Sequence, residues 1–311
     1  MKITFYGVRG SLPTPIQAEQ VQSKISAILA TITEKDVASE DAKQRFLSTV
    51  QKNLFGTVGG NTACVEIVTE NNDILIFDAG SGIRVCGRKY SNTTNHFNLF
   101  FSHFHWDHIQ GLPFFDPAYN PETKIDIYSA FEHTEEYLQE QMKTPYFPVT
   151  MDSFTPNINY YIKNELEPFT VGNVEIVCKK MFHPGSSYTY SITENDKKFI
   201  YATDVELKET DFELTESNWN FFNNAEILVL DAQYTLDEAI KKENWGHSAF
   251  CYAIDFARLF KIKKLYLFHH EPTYDDKKLY SILKSARWYS DRIHNYEVEV
   301  FLSTEGLEIT L

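Results

Sequence analysis

The chain predicts an α+β fold in which two sheets pack face to face with helices outside, and three observations carry that expectation. Short apolar runs rich in β-branched and aromatic residues recur in two stretches, punctuated by Asp-Ala-Gly, Pro-Gly and Asn-Asp turn signals. Segments whose apolar residues fall at helical spacing accompany them. A chain of 311 residues with 43% hydrophobic content can bury a large core. One domain over 1–311 is the organisation expected.

The first β-rich stretch starts at Lys2 and continues through 62–68, 74–77 and 99–101. The second covers 174–181, 189–192, 199–202, 227–230, 265–268 and 297–301. Helical spacing follows Phe131 and recurs over 247–260 and 276–293. Residues 16–55 stand apart. Val21, Ile25, Ile28, Leu29 and Ile32 repeat at helical spacing, as do Ala42, Phe46, Leu47 and Val50, with Ser39 placed to cap the second helix. This pair reads as a helical insertion near the N-terminus. The favoured expectation is a surface hairpin burying its apolar stripe on the sandwich; the alternative is a lid or dimer element.

Charge and cysteines narrow the function classes. The formal net charge is -14, from 29 Lys and Arg against 43 Asp and Glu. Neutralising phosphates needs clustered cations, so an extended nucleic acid is not an expected partner, while a small anionic substrate stays open. No apolar run reaches membrane-spanning length, and the start M-K-I-T-F-Y-G lacks an apolar signal core. Cys64, Cys86, Cys178 and Cys251 lie far apart in mostly apolar context and read as reduced core residues. A cytoplasmic protein with no membrane partner is expected.

The chemistry concentrates in F-F-S-H-F-H-W-D-H, where His103, His105, Asp107 and His108 follow an apolar run ending at Phe101. Imidazoles and a carboxylate at a strand's end suit zinc, iron or manganese, and packing alone does not explain their density.

The pattern H-x-H-x-D-H resembles the signature of the metallo-β-lactamase superfamily. That resemblance implies a four-layer αββα sandwich with two metal sites along one edge. Its remaining parts match His183 in M-F-H-P-G, Asp204 in Y-A-T-D-V-E and His269 in L-F-H-H-E, each directly after a strand-like run. By the same resemblance, His103, His105 and His183 hold one divalent ion, and Asp107, His108 and His269 the other. Asp204 bridges them. Zinc is the expected metal, with manganese or iron as alternatives. Relatives often join G-V-R-G-S to G-G-N-T by a shorter loop, which is why 16–55 looks inserted.

Further motifs choose among the family's chemistries. G-V-R-G-S-L-P, G-G-N-T, F-D-A-G-S-G-I, D-A-Q-Y-T and W-G-H-S together look like a phosphodiesterase branch. That branch is similar to cyclic-nucleotide phosphodiesterases, including the anti-Pycsar proteins, and to transfer-RNA 3′-end processing nucleases. The nucleases carry a His-Glu pair where this chain has Asp231 and Ala232, and their long Gly/Pro-rich arm is not evident here. His247 in W-G-H-S either donates a proton to the leaving alkoxide or serves as a capping histidine. Asp231 either accepts a hydrogen bond from His247, fixing its tautomer, or closes a turn. Asp107 is expected both to ligate and to orient the nucleophile.

The resemblance thus implies a dinuclear, metal-dependent phosphodiesterase acting through a metal-bridging hydroxide on a small diester, foremost a cyclic nucleotide. A homodimer is expected by family analogy. Alternatives are a ribonuclease resembling the transfer-RNA processing enzymes and a lactone or thioester hydrolase. Arg9 meets either phosphate or a carboxylate, and Glu206 either orients a ligand or is solvated. Trp106, Tyr188 and Tyr190 either stack on a base or fill the core. His270 is expected to hydrogen-bond outside the metals, and His96, His133 and His294 read as surface residues.

Overall fold

A computed structural model describes residues 1–91, 95–293 and 296–311. His294 lies outside the described residues. In chain order the strands are β1 (Lys2–Gly7), β2 (Cys64–Val68), β3 (Ile74–Phe77), β4 (His96–Phe100), β5 (Lys124–Ser129) and β6 (Asn157–Ile162). Then come β7 (Phe169–Val171), β8 (Val174–Met181), β9 (Ser187–Glu194), β10 (Lys197–Ala202), β11 (Ile227–Asp231), β12 (Lys264–Phe268), β13 (Glu299–Leu302) and β14 (Glu308–Thr310). They form two seven-stranded sheets, ordered β14-β1-β2-β3-β4-β5-β6 and β13-β12-β11-β10-β9-β8-β7. The expected α+β sandwich is the fold observed. Sequence patterning missed β5, β6, β7 and β14.

Alternation along the strands builds the layers. Leu75, Phe77 and Phe100 point into a core shared with Ile176, Tyr190, Phe199 and Tyr201 of the second sheet. Ile74, Ile76, Phe97 and Leu99 point the other way, into a second core with Ile83, Cys86 and Leu138 of the outer helices. Phe77 stacks on Phe100 at 4.8 Å. Burying each such ring stabilises the fold by roughly 1.5–3 kcal/mol. All four cysteines are buried and free, as expected. Among the described residues, no helix is long and apolar enough to cross a membrane.

Topology prepares a site. Strands β3 to β6 run parallel, as do β10 to β13. Parallel strands bring their carboxyl ends to one edge, where the chain leaves the ladder and side chains converge. The loops after β3, β4, β10, β11 and β12 start from such ends, and β8, antiparallel to both its neighbours, runs in the same direction as β10.

The segment 16–55 forms helices over Ala18–Leu29, Glu40–Thr49 and Lys52–Phe55, and Ser39 caps the second by accepting from the Ala42 amide at 3.1 Å. The expected burial of its apolar stripe does not occur: Val21, Ile25, Leu29 and Leu47 are exposed, and in these helices only Ala42 is buried. The tie to the sandwich is polar instead, with Lys24 donating to Asp276 and to the Gly56 carbonyl. A helical period reveals an apolar face but not whether anything covers it.

Candidate metal centre

Two clusters share one carboxylate. His103, His105, His183 and Asp204 offer ligand atoms all within 4.8 Å of one another, and so do Asp107, His108, Asp204 and His269. Asp204 Oδ1 faces His103 Nε2 at 3.7 Å and His183 Nε2 at 3.6 Å. Its Oδ2 faces His108 Nε2 at 2.9 Å and His269 Nε2 at 3.1 Å. One oxygen thus serves each cluster, which is the arrangement of a bridging ligand. All these side chains are buried except His105.

Backbone conformation aims several of them. Asp78, Asp204 and His269 follow β3, β10 and β12 with φ of 60°, 53° and 58°. Non-glycine residues held there cost about 1–3 kcal/mol each and cluster at functional sites. The chain accepts this strain where a strand end must turn a side chain inward.

Partners on the far side orient the rings of His108, His183 and His269. Asp78 Oδ2 accepts from His108 Nδ1 at 2.8 Å, Tyr201 OH at 2.9 Å and Ser102 Oγ at 2.8 Å. The Gly246 carbonyl accepts from His183 Nδ1 at 2.8 Å, and Gln233 Oε1 from His269 Nδ1 at 3.0 Å. The Ser11 amide donates to Asp107 Oδ2 at 2.7 Å, which gives the G-V-R-G-S motif a function. Such contacts fix ligand tautomer and direction. Glu206 accepts from the Asn244 and Gly246 amides, so it holds the loop behind His183.

Electrostatics match a cation. Burial pushes His103, His105 and His183 down toward the neutral form that ligates metals. His103 Nε2 is buried without a hydrogen-bond partner among the described residues. Such an orphan costs about 1–3 kcal/mol unless something binds it. Burial also disfavours charge on His108, yet Asp204, Asp107 and Asp78 hold its imidazolium well above the usual range. Those carboxylates demand positive charge, and a divalent ion would meet that demand in place of the proton. The donor set therefore fits divalent metals of the zinc, manganese and iron class.

A third cluster joins Asp231, His247 and His269. Asp231 is fully buried, and its Oδ2 accepts from His247 Nδ1 at 2.6 Å. Its Oδ1 accepts from the Gln233 and Ser248 amides at 3.2 and 3.1 Å. His247 stacks on His269 with ring centroids 4.9 Å apart. Burial works against charge on His247, but Asp231 more than offsets it and holds the imidazolium up to about 9.

Other sequence-predicted residues sort as follows. Arg9 is buried and donates to the Gly59, Glu271 and Tyr274 carbonyls, with Asp276 at 3.8 Å, so it ties loops together. His270 Nε2 donates to the Ser303 carbonyl. Tyr190 belongs to the core, Tyr188 is partly buried, and Trp106 is 80% exposed beside the cluster. His96 pairs with Asp126 and His133 with Glu136. Asp78, Gln233 and Gly246 were missed as site residues. F-D-A-G after a strand was a signal for Asp78; nothing local marked Gln233.

Fold and site together define a metal-dependent hydrolase. Residues 75–270 match the family model described as the beta-lactamase superfamily domain, and the chain belongs to that superfamily. It is similar to Ribonuclease Z of Oceanobacillus iheyensis, 22% identical over 302 residues, covering 76% of this chain and 94% of that protein. It shares its fold with human tRNase Z, short form, at TM-score 0.62 and 17% identity, covering 100% of this chain and 99% of that one. Yeast PDE1 aligns at TM-score 0.65 and 14% identity, covering 100% and 99%.

These relatives correct one expectation. The acidic balance argued that an extended nucleic acid is not a partner, yet the sequence relatives are ribonucleases. Net charge sums the whole surface, whereas a phosphate responds to the charge of the site it enters, and bound cations dominate there.

Proposed function

We propose that the centre hydrolyses phosphodiesters, with RNA as the leading substrate class. The Ribonuclease Z relatives support RNA. The observation that carries diester chemistry is the His247–Asp231 pair, a proton donor held 2.6 Å from its orienting carboxylate and stacked on His269.

His103, His105 and His183 would hold one divalent cation and Asp107, His108 and His269 the other, with Asp204 serving both; zinc suits these donors. Bound there, the cations would neutralise non-bridging phosphate oxygens and acidify a water. Asp107, anchored by the Ser11 amide, orients the attacking oxygen. His247 uses Nδ1 to bind Asp231, so Nε2 is the nitrogen that gives its proton to the departing sugar oxygen as the P–O bond breaks. Acyl substrates with good leaving groups would not require that donor.

A second reading, a small cyclic diester, is favoured by a cavity of about 790 Å³ that reaches His103 and His105 and has the scale of a single small ligand. The test loads the protein with zinc or manganese and compares initial rates on a transfer-RNA precursor, a panel of cyclic nucleotides and a lactone at two salt concentrations. RNA cleavage that falls steeply with salt supports the leading reading, since polymer binding releases counterions. Salt-insensitive turnover of a cyclic nucleotide alone selects the second. Lactone turnover without diester turnover refutes both.

A further inference from the structure

We infer that the cavity beside His103 and His105 is a seat for a nucleobase, with Gln141 reading its edge; this rests on the phosphodiesterase reading and deepens it. Its walls are aromatic. Phe104 lies at the metal side, fixed by stacking on Phe101 at 5.5 Å and by edge contacts with Phe131 and Tyr137 at 5.4 and 5.2 Å. Phe114 and Phe147 meet edge to face at 5.8 Å on the cavity wall. Trp106, between the ligand residues His105 and Asp107, is 80% exposed at the same cavity.

The polar groups sharpen the assignment. None of the residues lining the cavity is Lys or Arg, so it suits an uncharged ring rather than a second phosphate. Gln110 spends its amide on Thr62 Oγ1 at 3.1 Å, and Glu140 is paired with Lys143. Gln141 differs: its Nε2 is buried and has no hydrogen-bond acceptor among the described residues. A flat ring carrying a carbonyl or ring-nitrogen acceptor would fill the aromatic slot, and rotation of the half-buried Gln141 side chain would bring that unpaired donor to its edge. Purine and pyrimidine bases have this chemistry, and their stacking tolerates any π-face. The base's phosphate then falls toward His103 and His105, which line the same cavity.

The test measures binding by calorimetry on metal-loaded protein, comparing nucleoside 5′-monophosphates with ribose 5-phosphate. A base should tighten binding by about ten-fold or more, the scale of one stacked base. Gln141→Ala and Phe147→Ala should each shrink that advantage by about five-fold, as loss of one contact predicts. Gln141→Glu keeps the side-chain size but removes the donor, so it should lose as much as Gln141→Ala and guards against a folding artefact. Equal affinity with and without a base, or an undiminished advantage in all three variants, overturns the seat. A base advantage in a protein that cleaves no diester upholds the seat and refutes the phosphodiesterase reading instead. Competition by an RNA dodecamer and by a cyclic mononucleotide, run as separate arms, tells which source supplies the base.

Discussion

Replacing Asp231 by Asn probes the proton donor while sparing its surroundings. The substitution removes a charge 2.6 Å from His247 Nδ1 but leaves an oxygen able to accept from the Gln233 and Ser248 amides. Asp231 is what overcomes burial to keep His247 cationic, so the variant histidine becomes neutral and a far weaker acid. General acid catalysis is worth about 10²–10⁴ in rate, or ~2.7–5.4 kcal/mol of barrier. The loss should depend on the leaving group. A ribose alkoxide needs the proton, whereas p-nitrophenolate departs as a stable anion. Steady-state rates on an RNA or cyclic-nucleotide diester should therefore drop by about 10²-fold or more, and rates on bis(p-nitrophenyl) phosphate by less than about ten-fold. His247→Ala should reproduce the pattern with its metals retained, because the ligand His269 keeps its bond to Gln233 at 3.0 Å. Equal losses on both leaving groups, or none on either, would refute the acid role.

Three further outcomes follow from the geometry. Asp78→Asn disturbs the carboxylate that takes His108, Tyr201 and Ser102, and should weaken metal affinity about 10–100-fold by competitive chelation; unchanged affinity would contradict that orienting role. Gly246→Ala would place a Cβ 2.2 Å from His183 Nδ1 at a φ of +94°, so metal content measured by elemental analysis should fall, and full occupancy would show the loop can yield. Burial opposes the charge of Asp126, but hydrogen bonds from Asn159, Lys124 and His96 outweigh it and hold the carboxyl below its ordinary range. Its contribution to stability is thus present above the unfolded carboxyl's pKa of about 4 and is lost as pH falls through the lower folded value. Asp126→Asn should flatten the acid limb of urea stability by up to about 1.4 kcal/mol per pH unit, and an unaltered limb would refute the linkage.

The proposed ligand residues, which the structure brings into two clusters, were legible because each follows a recognisable strand and most sit in one dense motif. His183, Asp204 and His269 were reached through the family resemblance, with the apolar run before each as support; the runs before Asp204 and His269 are parallel strands whose carboxyl ends meet at one edge. Tyr190 shows the limit of reading aromatics by position: alternation along β9 turns it into the core, where its hydroxyl donates to the Phe101 carbonyl. Gln233 was invisible because its contact with His269 joins two loops far apart in sequence. The aromatic cavity was illegible for the same reason, as its walls come from 103–114, 131–147 and 184–186. Formal charge misled about nucleic acid because it says nothing of the local field.

Asp204 should lie between two divalent ions, one oxygen toward each cluster. Anomalous diffraction from crystals grown with zinc tests it directly, with peaks collected above and below the zinc edge. Two peaks flanking Asp204, one ringed by His103, His105 and His183 and the other by Asp107, His108 and His269, are the expected result. A single peak remote from Asp204, or none at saturating zinc, would contradict the account.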